Sequence, residues 1–265
     1  RSGWYVGHLG DFPAGKFGWM HGDQSEFSWS LYKHLKESGQ SITYVEITPE
    51  QLAALKLKDE RDIKRRIREE KERFEFSKAL TIIEWHRSLP LRNHPYLTSK
   101  RFSIAECEDT ARLYNRTDFT AKQAESILLE HYPEFIKPSN IRKLINYQTE
   151  NITFRGFNII IKGETIENEP LMFQLLFDKK NKAGKNKHFP KSQIKSQTFC
   201  RLGPEINSET AEVYICEGWA TAISLRRITC NKSTILVAWD SGNMKAVAMA
   251  IRKKYGKCRI NCAID

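Results

Sequence analysis

Two carboxylates near the C-terminus have the chemistry and the positions that a divalent cation needs. Glu217 follows the apolar run VYIC, and Asp265 follows the run CRINCAI. Mg²⁺ prefers oxygen ligands and binds through few protein carboxylates. If both runs are strands of one parallel sheet, their carboxyl ends lie at the same edge and the two acids can share a cation. We therefore predict that Glu217 and Asp265 hold Mg²⁺ or Mn²⁺.

The elements that position these acids can be read from the pattern of residues 213–265. Three short apolar runs, VYIC, TILVAW and CRINCAI, alternate with two helix-like segments, WATAISLRRIT and KAVAMAIRKKY. Strands that alternate with helices indicate a parallel, doubly wound sheet. Its ligand sites lie where the strands end. The sequence therefore places Glu217 and Asp265 at two such ends.

Three further residues follow predicted strands in the same region. Gly218 comes directly after Glu217 and permits a close approach of the backbone at the turn into the helix. Asp240 and Asn243 belong to the string DSGN after the second strand, where they could contact a metal or a phosphate. Asp-Ser-Gly-Asn is equally typical of a turn, so a functional and a turn-forming Asp240 remain equal alternatives.

A basic segment precedes the acidic strand ends. Residues 151–204 alternate like paired strands, and seven lysines and Arg201 follow the single acid Asp178. Ammonium and guanidinium groups neutralise phosphates without reading bases, so such a segment suits a nucleic-acid backbone or a triphosphate. A solvated loop is the alternative. The residues predicted to bind nucleotide or nucleic acid here are Lys185, Lys187, Lys191, Lys195 and Arg201, together with Gly218 and Asn243 from the strand ends.

The composition favours an anionic partner. The 265 residues carry a formal charge of +11 with a pI near 9.3, and nucleic acid is the commonest partner of such a chain. Six scattered cysteines form no Cys-x-x-Cys pair, which predicts reduced, buried thiols rather than a zinc site. No membrane-spanning run or secretory signal is recognisable. We expect a cytoplasmic protein with no membrane partner.

The sequence of the first third of the chain predicts a group of short strands followed by one long helix. Aromatic residues and glycines in residues 1–45 indicate short strands and tight turns. Thr48 and Pro49 begin a long charged helix that runs to Arg87, and its balanced charges favour a solvated face. We expect its C-terminal end to dock on the core through Phe76, Leu80, Ile83 and Trp85.

The strings around the two acids resemble a known module. Glu217-Gly218 after an apolar strand, and Asp265 as the first acid of an Asp-x-Asp pair, are similar to the TOPRIM domain of bacterial primases, topoisomerases and some nucleases. EGWATAISL and AWDSGNM resemble the EGxATAxSL and FDAGNL strings of primases carried by phages and plasmids. DFPAGKFGWMHG and HPYLTSKRF resemble two further segments of the same primases, in the expected order.

This resemblance implies a DNA primase, a nucleotidyltransferase that makes short RNA primers on single-stranded DNA for replication of a phage or plasmid. Glu217 would be a metal ligand or general base, and Asp265 a metal ligand whose partner acid lies two residues beyond the end. The implied partners are a single-stranded DNA template, nucleoside triphosphates and a fused or separate helicase or relaxase, in the cytoplasm of a bacterial host. Because the acid pair is incomplete, we expect the fragment as given to polymerise poorly.

Two alternatives remain open. A TOPRIM nuclease would keep the same sheet, although the basic strand pair before Glu217 argues against it. A non-catalytic nucleic-acid-binding TOPRIM module would keep the acids without a complete metal site, and the charge and the aromatic residues fit it equally well.

The predicted fold class is α+β. An aromatic-rich strand and helix region precedes a primase-like core that ends in a truncated, parallel α/β TOPRIM sheet. The predicted domains are residues 1–90, an aromatic β module with the long helix; residues 91–210, the basic part of the core; and residues 211–265, the TOPRIM domain.

Overall fold

The computed structural model describes residues 3–8, 14–19, 26–30, 33–34, 37–38, 49–114, 117–150, 158–180 and 184–263. The chain divides into two compact units, Arg1–Ile63 and Lys64–Asp265. The boundary falls within one helix of 39 residues, α1 (Pro49–Arg87). The three-part division at residues 90 and 210 stays a prediction.

The first unit contains an antiparallel sheet of three strands in the order β1-β2-β3. They are β1 (Gly3–His8), β2 (Ala14–Trp19) and β3 (Glu26–Ser30). Phe17 lies directly opposite Phe27, and their rings stack with centroids 5.3 Å apart. An aromatic pair of this kind stabilises adjacent strands, so the aromatic residues of this segment help to set its register.

The second unit contains two four-stranded sheets. One is antiparallel with the order β4-β5-β6-β7, and the other has the order β11-β9-β10-β8. The strands are β4 (Ala111–Leu113), β5 (Asn158–Glu164), β6 (Pro170–Phe177), β7 (Lys187–His188), β8 (Cys200–Leu202), β9 (Glu212–Cys216), β10 (Thr234–Val237) and β11 (Arg259–Ala263). The helices after α1 are α2 (Pro95–Lys100), α3 (Ala121–His131), α4 (Pro138–Glu150), α5 (Trp219–Ile228) and α6 (Ser241–Tyr255).

The second of these sheets has the parallel strands that the sequence predicts. Strands β10 and β11 both run parallel to β9, while β8 is antiparallel to β10 at the edge. Cys216 is in register with Val237 on one side and with Ala263 on the other, so the three parallel strands end level with one another. The chain is a mixed α+β protein, as predicted.

The hydrophobic core explains why strand β5 is apolar on both faces. Ile159 and Ile161 pack in a cluster with Val237 of the parallel sheet and with Trp219 of α5. Ile160 points to the opposite face, into a cluster formed with helices α1, α3 and α4. Because side chains alternate along a strand, only a strand covered on both faces takes three isoleucines in a row. A third cluster packs α6 on β9 and β10.

Helix α1 docks by its C-terminal end, as predicted. Leu80, Ile83 and Trp85 are buried, and Phe76 is partly buried against the same cluster. The middle part of the helix is exposed and carries ion pairs such as that between Nε of Arg65 and Oε1 of Glu69, which are 3.8 Å apart. Exposed ion pairs of this kind contribute little to stability in water. The described ranges contain no helix with the length and apolarity that crossing a bilayer requires.

All six cysteines are free thiols, but two of them depart from the predicted burial. Cys107, Cys200, Cys216 and Cys258 are buried, whereas Cys230 and Cys262 are exposed. Cys258 lies before β11 begins and is buried, whereas Cys262 lies within β11 and is exposed.

Burial of Leu236 in β10 should contribute strongly to stability. Leu236 is fully buried between β9 and α6. We expect Leu236→Ala to lower the free energy of unfolding by about 2 to 5 kcal/mol, because it leaves a cavity in a packed core. Met249→Ala, at a residue 62% exposed on α6, should change it by less than about 0.5 kcal/mol. Denaturant unfolding followed by circular dichroism measures both, and equal effects would contradict this packing.

Glu84 of α1 should make stability depend on pH. Burial raises the pKa of Glu84 from 4.5 to about 7, although Arg87 lies 3.5 Å away and opposes the shift. The folded state therefore holds an extra proton on Glu84 between these values, and the contribution of Glu84 to stability should fall by roughly 3 kcal/mol as the pH rises through this window. Glu84→Gln should remove this loss, whereas Glu125→Gln, at an exposed site on α3, should retain it. Urea titrations at pH 5 and pH 8 test the difference.

Candidate functional site

The candidate site lies at the edge where the parallel strands end. Glu217 follows β9 directly and is exposed. Its carboxylate makes no hydrogen bond or ion pair within the described part of the chain. Gly218 is the N-cap of α5 and, having no side chain, leaves the first N–H groups of that helix without a side-chain cap. The edge therefore presents one available carboxylate next to the positive end of a helix dipole.

A cleft of about 540 Å³ opens beside this edge. Three lysines lie in its wall: Lys100 at the end of α2, Lys180 after β6, and Lys187 in β7. The remaining lining residues are Tyr96, Ser99, Asp178, Asn186, Gly218, Ala220 and Thr221. Three ammonium groups against the single carboxylate of Asp178 give the cleft a net positive charge.

Lys187 and Gly218 meet inside the cleft. A Cβ atom added to Gly218 would lie 3.5 Å from Nζ of Lys187. The absence of that atom leaves open the space between the ammonium group and the N–H groups at the start of α5. A helix N-terminus combined with lysines is a typical binding site for phosphate.

Helix α2 is held in place by its caps. Nδ1 of His94 accepts a hydrogen bond from the backbone N–H of Tyr96 at 3.1 Å, and Pro95 occupies the first turn. Arg101 ends the helix in the left-handed conformation, with φ of 56°. Tyr96 is buried and packs on Trp219 with ring centroids 6.4 Å apart. This packing fixes Lys100 on the wall of the cleft, opposite α5.

The hairpin of β6 and β7 positions the other two lysines. The N–H of Phe177 donates to the carbonyl of Asn186 at 2.8 Å, and Leu176 pairs with Lys187. Leu176 points into the core between the two sheets, so the register directs Lys187 toward α5. Lys185 is exposed, outside the residues that line the cleft.

Asp240 has structural partners at the same edge. It is the N-cap of α6, where Oδ1 accepts from the N–H of Asn243 at 2.9 Å, and Oδ2 pairs with Lys195. Burial raises the pKa of Asp240, but the hydrogen bonds from Lys195 and from the backbone outweigh this effect and hold the pKa below its usual range. The role of Asp240 as a metal ligand stays a prediction, and it would require Lys195 to move from Oδ2.

Asn243 and Arg201 also have structural partners. Asn243 is buried, and its amide bonds the backbone of Gln197, Thr198 and Ala238 at 2.8 to 3.0 Å. Arg201 forms an ion pair with Glu164, in which Nε of the arginine lies 3.2 Å from Oε1 of the glutamate. Their predicted contacts with nucleotide stay predictions, and either residue would have to exchange a bond it already makes.

Of the predicted site residues, the structure brings Gly218 and Lys187 together, and Glu217 adjoins Gly218 in the chain without being one of the residues that line the cleft. Lys191 is exposed, and neither Lys191 nor Lys195 lines the cleft. Lys100 and Lys180 line it but are absent from the predicted set. Lys100 ends the string HPYLTSK, and Lys180 belongs to the lysine-rich run that follows Asp178. Both strings stand out in the sequence, but neither indicates which of its lysines reaches the cleft.

Two of the three predicted metal ligands, Glu217 and Asp240, lie within the described residues. Among the described residues, no three His, Cys, Asp or Glu side chains are grouped as a metal site. Asp265 lies outside the described residues. Glu217 fits the oxygen chemistry of Mg²⁺ or Mn²⁺ because it is exposed at a strand end, and β11 ends level with β9 beside it.

Comparison of the chain with protein-family models finds no match. Comparison with curated proteins finds none either. The observations that bear on function are therefore the geometry of the site and the strings that resemble those of primases.

Lys187 should contribute to the binding of a triphosphate in the cleft. We expect Lys187→Gln to weaken the binding of ATP about tenfold, because a charge-assisted hydrogen bond contributes about 1.5 to 3 kcal/mol. Lys257→Gln, at an exposed lysine outside the cleft, is the matched control and should leave the affinity unchanged. Isothermal titration of ATP measures both, and equal losses would mean that general charge rather than the cleft binds the ligand.

Proposed function

We propose that this chain is the core of a TOPRIM-type DNA primase of the phage and plasmid class. It would make short RNA primers on single-stranded DNA by metal-dependent nucleotidyl transfer, in the cytoplasm of a bacterial host. The observation that carries the proposal is the position of Glu217 at the end of a parallel strand, directly beside a lysine-lined cleft. Nucleotidyl transfer requires an acid for the metal and cations for the phosphates at one place.

The cleft supports the binding of a nucleoside triphosphate. Its volume, about 540 Å³, lies within the range of about 300 to 1,000 Å³ that is typical of small-molecule sites. Lys100, Lys180 and Lys187 would neutralise the phosphates, and the N–H groups at the start of α5 would donate to their oxygens. The triphosphate would thus be held next to Glu217, where transfer takes place.

Glu217 and Asp265 are the residues that would hold Mg²⁺ or Mn²⁺. A bound ion of this kind lowers the pKa of a 3′-hydroxyl and offsets the charge of the phosphates. Glu217 would act either as a ligand or as the general base, and two observations support this role: its carboxylate is exposed, and it has no partner in the described ranges. Gly218 allows the phosphates to approach the backbone beside it.

The template would follow the basic hairpin. Lys185 and Lys191 are exposed on either side of β7, and they can neutralise the phosphates of a single-stranded DNA template without occupying the cleft. A fused or separate helicase or relaxase would supply the unwound strand.

The cleft favours a polymerising enzyme over the two alternatives. A TOPRIM nuclease needs contacts with a polynucleotide backbone but no enclosed site for a separate triphosphate. A non-catalytic module needs neither the cleft nor an available acid at the strand end. The cleft and Glu217 lie together, and that combination fits primer synthesis best.

Glu217→Gln tests the proposal directly. Primer synthesis from labelled ribonucleotides on single-stranded DNA is measured with a chain that continues past Asp265, where the resemblance expects the second acid. We expect the substitution to reduce synthesis about 100-fold or more, since it removes the charge of the proposed ligand or base, while DNA binding is retained. Glu209→Gln, at an exposed acid in a loop, is the control and should remain active.

The other outcomes identify the alternatives. DNA binding without synthesis by either protein would favour the non-catalytic module. Cleavage of the DNA that depends on Glu217 would favour the nuclease.

A further inference from the structure

A second group of cations lies on the opposite face of the antiparallel sheet. The side chain of Trp85, near the end of α1, lies under both Arg112 of β4 and Lys162 of β5. The guanidinium carbon of Arg112 is 4.5 Å from the ring centroid, and Nζ of Lys162 is 5.4 Å from it. One aromatic ring therefore holds two positive charges, and we call these three residues the Trp85 cluster.

The strand register brings the two cations together. Arg112 pairs with Ile160, and Lys162 lies two residues further along the same strand, on the same face. Such diagonal neighbours have Cα atoms about 7 to 8 Å apart. Ile160 packs against the helices, whereas Ile159 and Ile161 point to the other side of the sheet. The cleft beside Gly218 is bounded by residues of that other side, so the two sites are separate.

Two histidines lie near the Trp85 cluster. The rings of His86 and His131 stack with centroids 3.7 Å apart, and this stack joins the end of α1 to the end of α3. Burial is the largest cause that lowers the pKa of His86 to about 4, and the charges of His131, Arg112 and Lys162 contribute in the same direction. Oε1 of Glu130 lies 3.7 Å from Nε2 of His131.

The two strand cations have no acid of their own among the described residues. Arg112 donates to the carbonyl of Trp85 at 3.2 Å, and Lys162 makes no ion pair in these ranges. Glu84 pairs with Arg87 instead. Glu108 lines, together with Arg112, a cleft of about 380 Å³, but it makes no ion pair with the arginine. Adjacent like charges repel one another, and a bound anion would relieve that repulsion.

We propose that the Trp85 cluster binds the phosphate backbone of single-stranded nucleic acid, as a contact separate from the cleft. Trp85 is only 8% exposed, so its ring is not available to stack on a base. Arg112 and Lys162 are partly exposed, and guanidinium and ammonium groups recognise phosphate without reading sequence. The contact needs no catalysis, so it can be tested whether or not the chain makes primers.

The test removes the two charges and measures the salt dependence of binding. The double variant Arg112→Gln with Lys162→Gln is compared with Lys122→Gln and Lys137→Gln, two exposed lysines outside the cluster. Binding of a labelled oligodeoxythymidine is followed by fluorescence anisotropy from low to high salt. Loss of two phosphate contacts should reduce the slope of log K against log salt by about 1.4 and weaken binding about 25-fold at 0.1 M salt. The control should lose much less and bind with a nearly unchanged slope.

Two further measurements exclude other causes. Arg112→Lys with Lys162→Arg keeps both charges and should restore most of the affinity, whereas a variant that only damages the fold would not be rescued. Titration with ATP distinguishes a nucleic-acid backbone from a free nucleotide as the source of the phosphate. Oligonucleotide affinity and salt slope equal to those of the control would overturn the proposal. A loss confined to ATP would overturn the assignment to the backbone.

Discussion

The pairing of β9 with a parallel strand on each side is the constraint on which the site depends. Because Cys216 is level with both Val237 and Ala263, the chain leaves all three strands at one edge. The hydrogen bonds of the sheet bring to that edge the residues that follow its strands, Glu217 after β9 and Asp240 after β10. A shift of one residue in this register would move the acids and turn the buried residues of β9 toward the wrong face.

The cleft arises because several elements converge on this edge. Tyr96 packs on Trp219, which ties α2 to the start of α5, while the pairing of β7 with β6 brings Lys187 to the same place. Three lysines close to one another repel, and part of this cost is offset by Asp178. An anionic ligand would offset the rest. At the neighbouring strand end, Asp240 already has its own cation in Lys195, so it differs from Glu217 in what it can bind.

The sequence predicted the fold of this region better than it predicted the site. Alternating apolar runs and helices encode a parallel sheet locally, and the Glu217-Gly218 pair marks its edge, so both could be read from short strings. Lys100 lies 87 positions from Lys187 in the chain, and only the packing of Tyr96 on Trp219 brings it to the cleft. Asn243 and Arg201 have polar chemistry suited to nucleotides, yet each is bonded to a residue distant in sequence, Asn243 to Thr198 and Arg201 to Glu164. Long-range contacts of this kind leave no local pattern.

The central claim is that the acid at the strand end and the cationic cleft form a single site. The most direct test is the linkage between metal and nucleotide, measured as the affinity for ATP with and without Mg²⁺ in the wild type and in Glu217→Gln. If Glu217 contacts the ion that accompanies the triphosphate, Mg²⁺ will strengthen ATP binding in the wild type, and the substitution will remove most of that gain. An equal effect of Mg²⁺ on both proteins would contradict the account, because the acid and the cleft would then act independently.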